Sequence, residues 1–295
     1  MHLVFHLGAH ATDDERLIRT LATNPEVMAA AQSHAPAPTA YRMALRDALI
    51  GLKGRPADAA TQDGLRKACL RGARGPVERL IFSYENFLAL PERAIGATGL
   101  YPAAADKLAP LANLFPQDQT EFHLGLLDPA LLLVALAARQ PGRDFSDMLA
   151  GHAPEDLRWG PVLERMAEAA TKVGAKLVVW CNEDLPLIFP EVLRQMGGIA
   201  AAAPLMGEYG LVEDLMQPEG AKRLRTYMAQ HPPQTAEQRR KVLTAFLEKF
   251  ARPEALLADV ALPGFTEELV AEIAARYAQD VAAIARLPGV TLITS

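Results

Sequence analysis

The sequence predicts a three-layer α/β fold, in which one parallel β-sheet carries helices on both faces. Short apolar segments suited to buried strands recur along the chain, at residues 2–7, 79–83, 121–126, 176–181 and 290–294. The stretches between them are rich in Ala, Leu, Glu and Arg, and they have the length of the helical crossovers that join parallel strands. No internal repeat or linker interrupts this pattern, so we predict a single domain over residues 1–295.

The individual elements follow from the residues between these strands. The first crossover, residues 12–78, is long enough for two or three helices, and we predict two of them at residues 39–51 and 56–72. Later helices are predicted at 157–173, 236–250 and 266–287, and Pro288-Gly289 ends the last one before the final strand. Residues 197–235 break the strand–helix alternation, and we predict that they form an insertion or cap within the same domain.

The composition excludes several classes of protein. Apolar residues make up 50% of the chain, and the formal net charge is −5 without a long basic run, which argues against a nucleic-acid partner. No apolar run reaches the roughly 18 residues of a membrane-spanning helix, so no membrane partner is expected. Cys69 and Cys181 form neither a metal-binding nor a disulfide motif. The chain opens on a strand and not on a signal peptide, so we expect a soluble, cytoplasmic protein.

The turn after the first strand is the first candidate site. A helix that starts directly after a strand offers free backbone N–H groups and the positive end of its dipole to an anion. Residues 12–15 have the spacing of a capping box, which predicts that Thr12 caps the helix and that Glu15 bonds back to the amide of Thr12. Asp13 and Asp14 then fall in the first helical turn, where carboxylates stabilise the helix but repel a bound anion.

Two further interpretations of this turn are open. His6 and His10, together with Asp13 or Asp14, could supply nitrogen and oxygen ligands to a metal ion. His10 could also act by itself as a general base. A Walker-type phosphate loop is not indicated, because the Gly-Lys-Ser/Thr segment is absent.

Polar residues also follow two other predicted strands. Glu85 lies at the edge of the sheet where open parallel sheets bind their ligands, and it could accept a proton from an attacking hydroxyl. Alternatively, Ser83 and Asn86 form turn hydrogen bonds and Glu85 is solvated. Asp184, after the fourth strand, and Asp156 are predicted to be the N-caps of the helices that follow them.

Together these segments resemble the bacterial sulfotransferase family, whose members have a P-loop-type α/β fold. That family opens approximately with His-x-Gly-x-His-Lys-Thr-Gly-Thr, and residues 6–15 fall in the same register as His-Leu-Gly-Ala-His-Ala-Thr-Asp-Asp-Glu. A family strand that ends in Ser-Glu-Asn is similar to residues 83–86. The family also has a strand followed by Arg-Asp-Pro, with a Ser eight residues after the Arg. The matching segment here is residues 127–135, which begins with Leu-Asp-Pro and has Ala135 at the position of the Ser. The resemblance extends to the C-terminal helix and strand.

The resemblance implies a site for the family's sulfo donor PAPS (3′-phosphoadenosine 5′-phosphosulfate). The donor would lie against Gly8, Ala9, Thr12 and Asp128, with Glu85 near the acceptor as a catalytic residue, and His10 is the second catalytic candidate. The family's phosphate-binding Lys, hydroxyls and Arg are not retained, and the matching positions carry Ala11, Asp14, Glu15, Leu127 and Ala135. Each charge-assisted bond lost in this way removes about 1.5–3 kcal/mol of binding.

We therefore expect a divergent, sulfotransferase-like protein without PAPS-dependent activity or cofactor, which binds a ligand or partner in the former active-site crevice. The alternative is an active sulfotransferase that moves a sulfo group from PAPS to a hydroxyl or amine of a small molecule or glycan. Its phosphate-binding residues would then come from Arg16, Arg19 or the basic residues of 222–225 and 239–241. A metal-dependent hydrolase at the first turn is the third hypothesis.

Overall fold

The computed structural model describes residues 1–256 and 260–295, and its centre is a parallel β-sheet. The strands of this sheet are β1 His2–His6, β2 Ser33–His34, β3 Arg79–Ser83, β6 Gln119–Leu126, β7 Lys176–Cys181 and β8 Val290–Ile293. They lie in the order β2-β3-β1-β6-β7-β8, and all neighbouring pairs are parallel. A separate antiparallel pair consists of β4 Ile95–Gly96 and β5 Gly99–Leu100. The predicted α/β class is confirmed, and β1 lies in the interior of the sheet.

Helices cover both faces of this sheet. One layer contains α1 Arg16–Ala22, α2 Pro25–Ala30 and α9 Leu185–Gly197. The opposite layer contains α3 Pro38–Leu52, α4 Ala59–Cys69, α5 Ala104–Ala112, α6 Pro129–Ala138, α7 Phe145–Met148, α8 Gly160–Lys172 and α14 Glu267–Ile284. Side chains alternate between the layers along each strand, so Leu3 and Phe5 face one layer while Val4 faces the other. Both faces are buried, which explains why the strands are nearly continuous apolar runs.

The remaining helices form a smaller cluster beside α9. They are α10 Gly210–Asp214, α11 Pro218–Gln230, α12 Ala236–Phe250 and α13 Pro253–Leu256. Val212, Leu224 and Leu243 form the buried centre of this cluster. The segment 197–235, predicted as an insertion or cap, thus supplies α10 and α11. In the part of the chain that the structure describes, no helix combines the length and apolarity that crossing a membrane requires.

Several predicted boundaries are wrong. The first crossover contains four helices and the short strand β2, where two or three helices were predicted. The helix predicted at 157–173 begins at Gly160, because residues Pro154–Asp156 form a separate 3₁₀ turn. Asp156 is therefore not its N-cap, and its carboxylate instead pairs with Arg276 at 2.8 Å. Asp184 does precede α9, but its side chain makes no capping hydrogen bond.

Candidate functional site

The turn between β1 and α1 has an unusual backbone that brings it against the end of β3. Gly8 has φ of +61°, and a Cβ at this position would lie only 2.8 Å from Cα of Glu85. Glycine adopts this left-handed backbone without steric cost, and its missing Cβ permits the close approach to Glu85. Asp14 and Glu15 also have positive φ values, 45° and 63°. As a result, the regular helix begins only at Arg16.

This backbone explains why the predicted capping box does not form. The Thr12 hydroxyl donates a hydrogen bond to the carbonyl of Ala9 at 2.9 Å, within the turn. Glu15 is itself the N-cap residue, and it makes no side-chain capping bond. Its carboxylate pairs instead with Arg42 at 2.6 Å. The helix receives its side-chain support from Asp13, whose carboxylate accepts the amide of Leu17 at 3.1 Å.

A cavity of about 230 Å³, here called the first-loop cavity, lies beside this turn at the carboxyl edge of the sheet. It is lined by His6, Gly8, Ala9, Thr12, Asp13, Asp14, Glu15, Arg19, Arg42, Ser83, Tyr84, Glu85 and Arg139. The structure thus brings four predicted site residues to one cavity, namely Gly8, Ala9, Thr12 and Glu85. Two others, His10 and Asp128, do not line it. The carboxyl ends of adjacent parallel strands meet there, as in other open α/β sheets.

Three guanidinium groups face this cavity, and each is close to a carboxylate. Arg42 binds Glu15 at 2.6 Å, donates to the carbonyl of Ser83 at 2.9 Å and lies 4.6 Å from the centre of the Tyr84 ring. Arg19 lies 3.6 Å from the same Glu15 carboxylate. Arg139, at the C-terminus of α6, lies 3.6 Å from Glu85. The carboxylates at the first loop are therefore partly neutralised, a feature that the count of local acidic residues did not predict.

Arg42 and Arg139 were missed by sequence reasoning, whereas Arg19 was among the candidate phosphate ligands. Arg42 lies on α3 and Arg139 follows α6, and neither belongs to a recognisable motif. Of the other basic candidates, Arg16 pairs with Asp214 at 2.7 Å and Arg239 with Glu191 at 3.2 Å. None of the basic residues of 222–225 and 239–241 lines the first-loop cavity.

His6 lies at the inner wall of the cavity and is almost completely buried. Its Nδ1 is 2.9 Å from the Ser83 hydroxyl, and its ring stacks on Trp180 with centroids 5.6 Å apart. Its other ring nitrogen, Nε2, is buried and has no hydrogen-bond partner. Burial lowers the pKa of His6, and the negative charge of Asp13 acts in the opposite direction. This nitrogen is closed to solvent, and other buried ring nitrogens of the described residues, such as Nδ1 of His123 and Nε1 of Trp180, also have no partner.

His10, in contrast, uses both ring nitrogens within the fold. The Tyr101 hydroxyl accepts the backbone N–H of His10 at 3.0 Å and lies 2.9 Å from its Nδ1. The amide oxygen of Asn86, 3.1 Å from Nε2, can only accept, so Nε2 carries the ring proton and the Tyr101 hydroxyl donates to Nδ1. Burial lowers the pKa of His10, partly offset by the bond to Asn86. This neutral, doubly bonded ring has no nitrogen free for a ligand.

Asp128 is engaged in a structural role at the end of β6. Its carboxylate accepts the amides of Ala130 at 2.8 Å and Leu131 at 3.4 Å, and so caps α6. Its own backbone N–H donates to Glu183 at 2.6 Å, and the Tyr277 hydroxyl donates to the other oxygen of Glu183. Burial raises the pKa of both carboxyl groups. Asp128 is therefore a helix cap beside the carboxyl edge, outside the first-loop cavity.

The described residues, 1–256 and 260–295, contain no group of three or more His, Cys, Asp or Glu side chains placed to hold a metal ion. His6 bonds to Ser83, whereas His10 bonds to Tyr101 and Asn86. Comparison with known proteins found no matching family model and no matching curated protein.

Proposed function

We propose that this protein is a divergent sulfotransferase-like protein, which binds a small ligand in the first-loop cavity and does not transfer a sulfo group from PAPS. The main support is that each guanidinium group in the cavity lies close to a carboxylate. Arg42 is bonded to Glu15 and to a backbone carbonyl, and Arg19 and Arg139 each lie within 4 Å of a carboxylate. A phosphate would have to compete with these carboxylates for every guanidinium in the cavity.

Two further acidic side chains would repel a phosphate in the cavity. Asp13 and Asp14 line the cavity, and neither forms an ion pair with any residue that the structure describes. At an effective dielectric constant of about 20, two like charges 4 Å apart repel each other by about 4 kcal/mol before screening by salt. The dipole of a helix N-terminus returns only about 0.3–1 kcal/mol. Repulsion therefore exceeds the attraction that the turn itself offers.

The size of the cavity also favours a small ligand. Its volume of about 230 Å³ lies below the range of roughly 300–1,000 Å³ that is typical of sites for drug-sized ligands. A second cavity of about 530 Å³ shares Arg42 and Tyr84 with the first, but the stacked pair of these side chains lies between the two.

An active sulfotransferase is the second candidate, and the position of two arginines favours it. Arg19 is more than half exposed, and Arg19 and Arg139 each lie 3.6 Å from their carboxylate, so both pairs are looser than the 2.6 Å pair of Arg42 and Glu15. Glu85 is partly exposed at the same edge, where it could accept a proton from an acceptor hydroxyl or amine. PAPS would be the cofactor of this activity.

Calorimetric titration with adenosine 3′,5′-bisphosphate, the product of PAPS, distinguishes the two candidates. We expect no saturable binding below millimolar concentration and no transfer from PAPS, with or without Mg²⁺. A ligand at 100 times its Kd stabilises a protein by about 2.7 kcal/mol, so a thermal scan provides an independent readout. Micromolar binding would overturn the proposal in favour of an active sulfotransferase. In that event, Glu85→Gln should abolish transfer while the bisphosphate still binds.

A further inference from the structure

The cavity of about 530 Å³, here called the α3–α5 cavity, is lined by residues of α3, of α5 and of the segment that follows β3. Its volume falls within the range of roughly 300–1,000 Å³ that is typical of sites for small molecules. Its apolar lining residues include Leu49, Ile50, Phe87, Pro110 and Leu111. Ile50 is 66% exposed, so the fold leaves part of this apolar wall open. The cavity can therefore take up the apolar body of a ligand.

The charged side chains of the α3–α5 cavity are mainly positive. Among its described lining residues, Arg42, Arg46 and Lys107 are cationic, and Asp106 is acidic. Arg42 is engaged with Glu15 at 2.6 Å, which leaves Arg46 and Lys107 as the cations that a ligand can use.

Arg46 is available to a ligand because its present ion pair is weak. It pairs at 2.9 Å with Asp47, its neighbour in the chain, and the two side chains are 60% and 61% exposed. Exposed pairs of this kind contribute only about 0.2–1 kcal/mol. Asp47 does not line the cavity, so Arg46 can exchange this partner for an anion inside it.

Two further donors in the cavity have no partner in residues 1–256 and 260–295. Lys107 is exposed and forms no ion pair, whereas Lys176 and Lys241 do. The amide oxygen of Asn86 is occupied by His10, but its NH₂ group makes no hydrogen bond. This group is not among the buried atoms without a partner, so it is accessible to a ligand. The polar groups that the cavity offers are therefore donors.

We infer that the α3–α5 cavity binds a small organic anion, whose carboxylate contacts Arg46 and Lys107 and whose apolar body lies against Leu49 and Ile50. A carboxylate only accepts hydrogen bonds, which matches these two cations and the NH₂ group of Asn86. Bonds between ionised partners are among the strongest hydrogen bonds in proteins. The cavity is separate from the first-loop cavity, so this inference goes beyond the proposed function and does not depend on it.

The lining favours an anion over other ligands of the same shape. A cation would meet three positive groups and one carboxylate. A neutral molecule would bury the same apolar surface but would form no charge-assisted bond. Glu15 and Asp47, just outside the lining, offset its two excess positive charges, so the attraction acts at short range and depends on direct contact.

The experiment titrates the full chain at low ionic strength with octanoate, with its neutral isostere octanamide and with octylammonium. Calorimetry measures binding, and thermal unfolding provides a second readout. We expect saturable binding and a raised melting temperature with octanoate, binding of octanamide at least fivefold weaker, and no binding of octylammonium. In the double variant Arg46→Gln/Lys107→Gln, octanoate should bind at least tenfold more weakly, a change of about 1.4 kcal/mol, while octanamide binds as before.

Matched variants separate the cavity from the rest of the surface. Lys67→Gln removes an exposed cation on α4 outside the lining, and it should bind octanoate as the parent does. Ile50→Ser removes part of the apolar wall and should weaken both octanoate and octanamide. Met206→Ser is its control, because Met206 is 71% exposed and lies outside this cavity. Each of these side chains is exposed, so the variants should fold.

Three outcomes overturn the inference. They are absence of octanoate binding at millimolar concentration, equal binding of octanoate and octanamide, and octanoate binding that the Arg46/Lys107 change leaves unaltered. The titration with adenosine 3′,5′-bisphosphate judges the proposed function separately, since its result concerns the first-loop cavity.

Discussion

Substitution of Gly8 by Ala tests how the first loop is held against the sheet. The new methyl group would lie 2.8 Å from Cα and 3.3 Å from Cβ of Glu85. A backbone atom cannot rotate away, so either the loop or the end of β3 must move. The left-handed backbone costs a non-glycine residue about 1–2 kcal/mol, and overpacking costs about a further 1–3 kcal/mol. We expect Gly8→Ala to lower the free energy of unfolding by about 2–4 kcal/mol, since Ala also reduces the freedom of the unfolded chain.

Gly54 provides a matched control for the backbone effect. Its φ is +80°, but a Cβ at this position would have no atom within 4 Å. Gly54→Ala therefore carries the cost of the left-handed backbone without the steric contact, and we expect a loss of about 1 kcal/mol. The difference between the two variants isolates the contact between Gly8 and Glu85.

Urea unfolding followed by circular dichroism measures both variants under the same conditions. We expect the unfolding midpoint of Gly8→Ala to lie clearly below that of Gly54→Ala, with similar slopes against urea concentration. Equal midpoints would refute the reasoning, because they would mean that the loop does not need its close approach to β3. The first-loop cavity would then be more plastic than the distances indicate.

Two further predictions concern buried charges. Asp280→Asn removes the carboxylate that pairs with Arg158 at 2.6 Å. We expect urea unfolding to show a free energy of unfolding that is lower by about 2–4 kcal/mol, because Arg158 is left without its partner. A decrease below about 0.5 kcal/mol would contradict a structural role for this pair. Burial alone would raise the pKa of Glu121, but hydrogen bonding to His123 and the charge of Arg79 lower it to about 2, from an ordinary value of 4.5. The stabilisation by this carboxylate is therefore complete above about pH 5 and is lost as the pH falls toward 2. Between pH 6 and pH 3 this loss should lower the free energy of unfolding of the parent by about 2–3 kcal/mol. Urea unfolding at both pH values measures this change, and Glu121→Gln should not show it.

The sheet was largely predictable because its strands are buried on both faces. The segments 79–83 and 176–181 were predicted with the bounds that β3 and β7 have, since apolar runs of that length leave few alternatives. The strand β2 was missed because it has only two residues, Ser33 and His34, and is too short and too polar to give a periodic signal. The antiparallel pair β4 and β5 was missed for the same reason of length.

The candidate site was predictable only in part. Gly8 and Glu85 belong to motifs that end adjacent strands, and topology alone brings such residues together at the carboxyl edge. His10 has the residue type of a general base, but its partners Tyr101 and Asn86 come from distant segments and occupy both nitrogens. No local pattern reveals that such a ring is already fully bonded.

The sequence by itself determined the fold class, the strands that carry the site and the acidic character of the first loop. Those properties depend on apolar periodicity and on residues that are close together in the chain. The tertiary structure decided which charges meet. Arg42 on α3 pairs with Glu15 from 27 positions earlier in the chain, so Glu15 does not return to Thr12 and the capping box does not form. Pairing between distant side chains depends on packing across helices, and for that reason the charge left for a ligand can be read only from the folded chain.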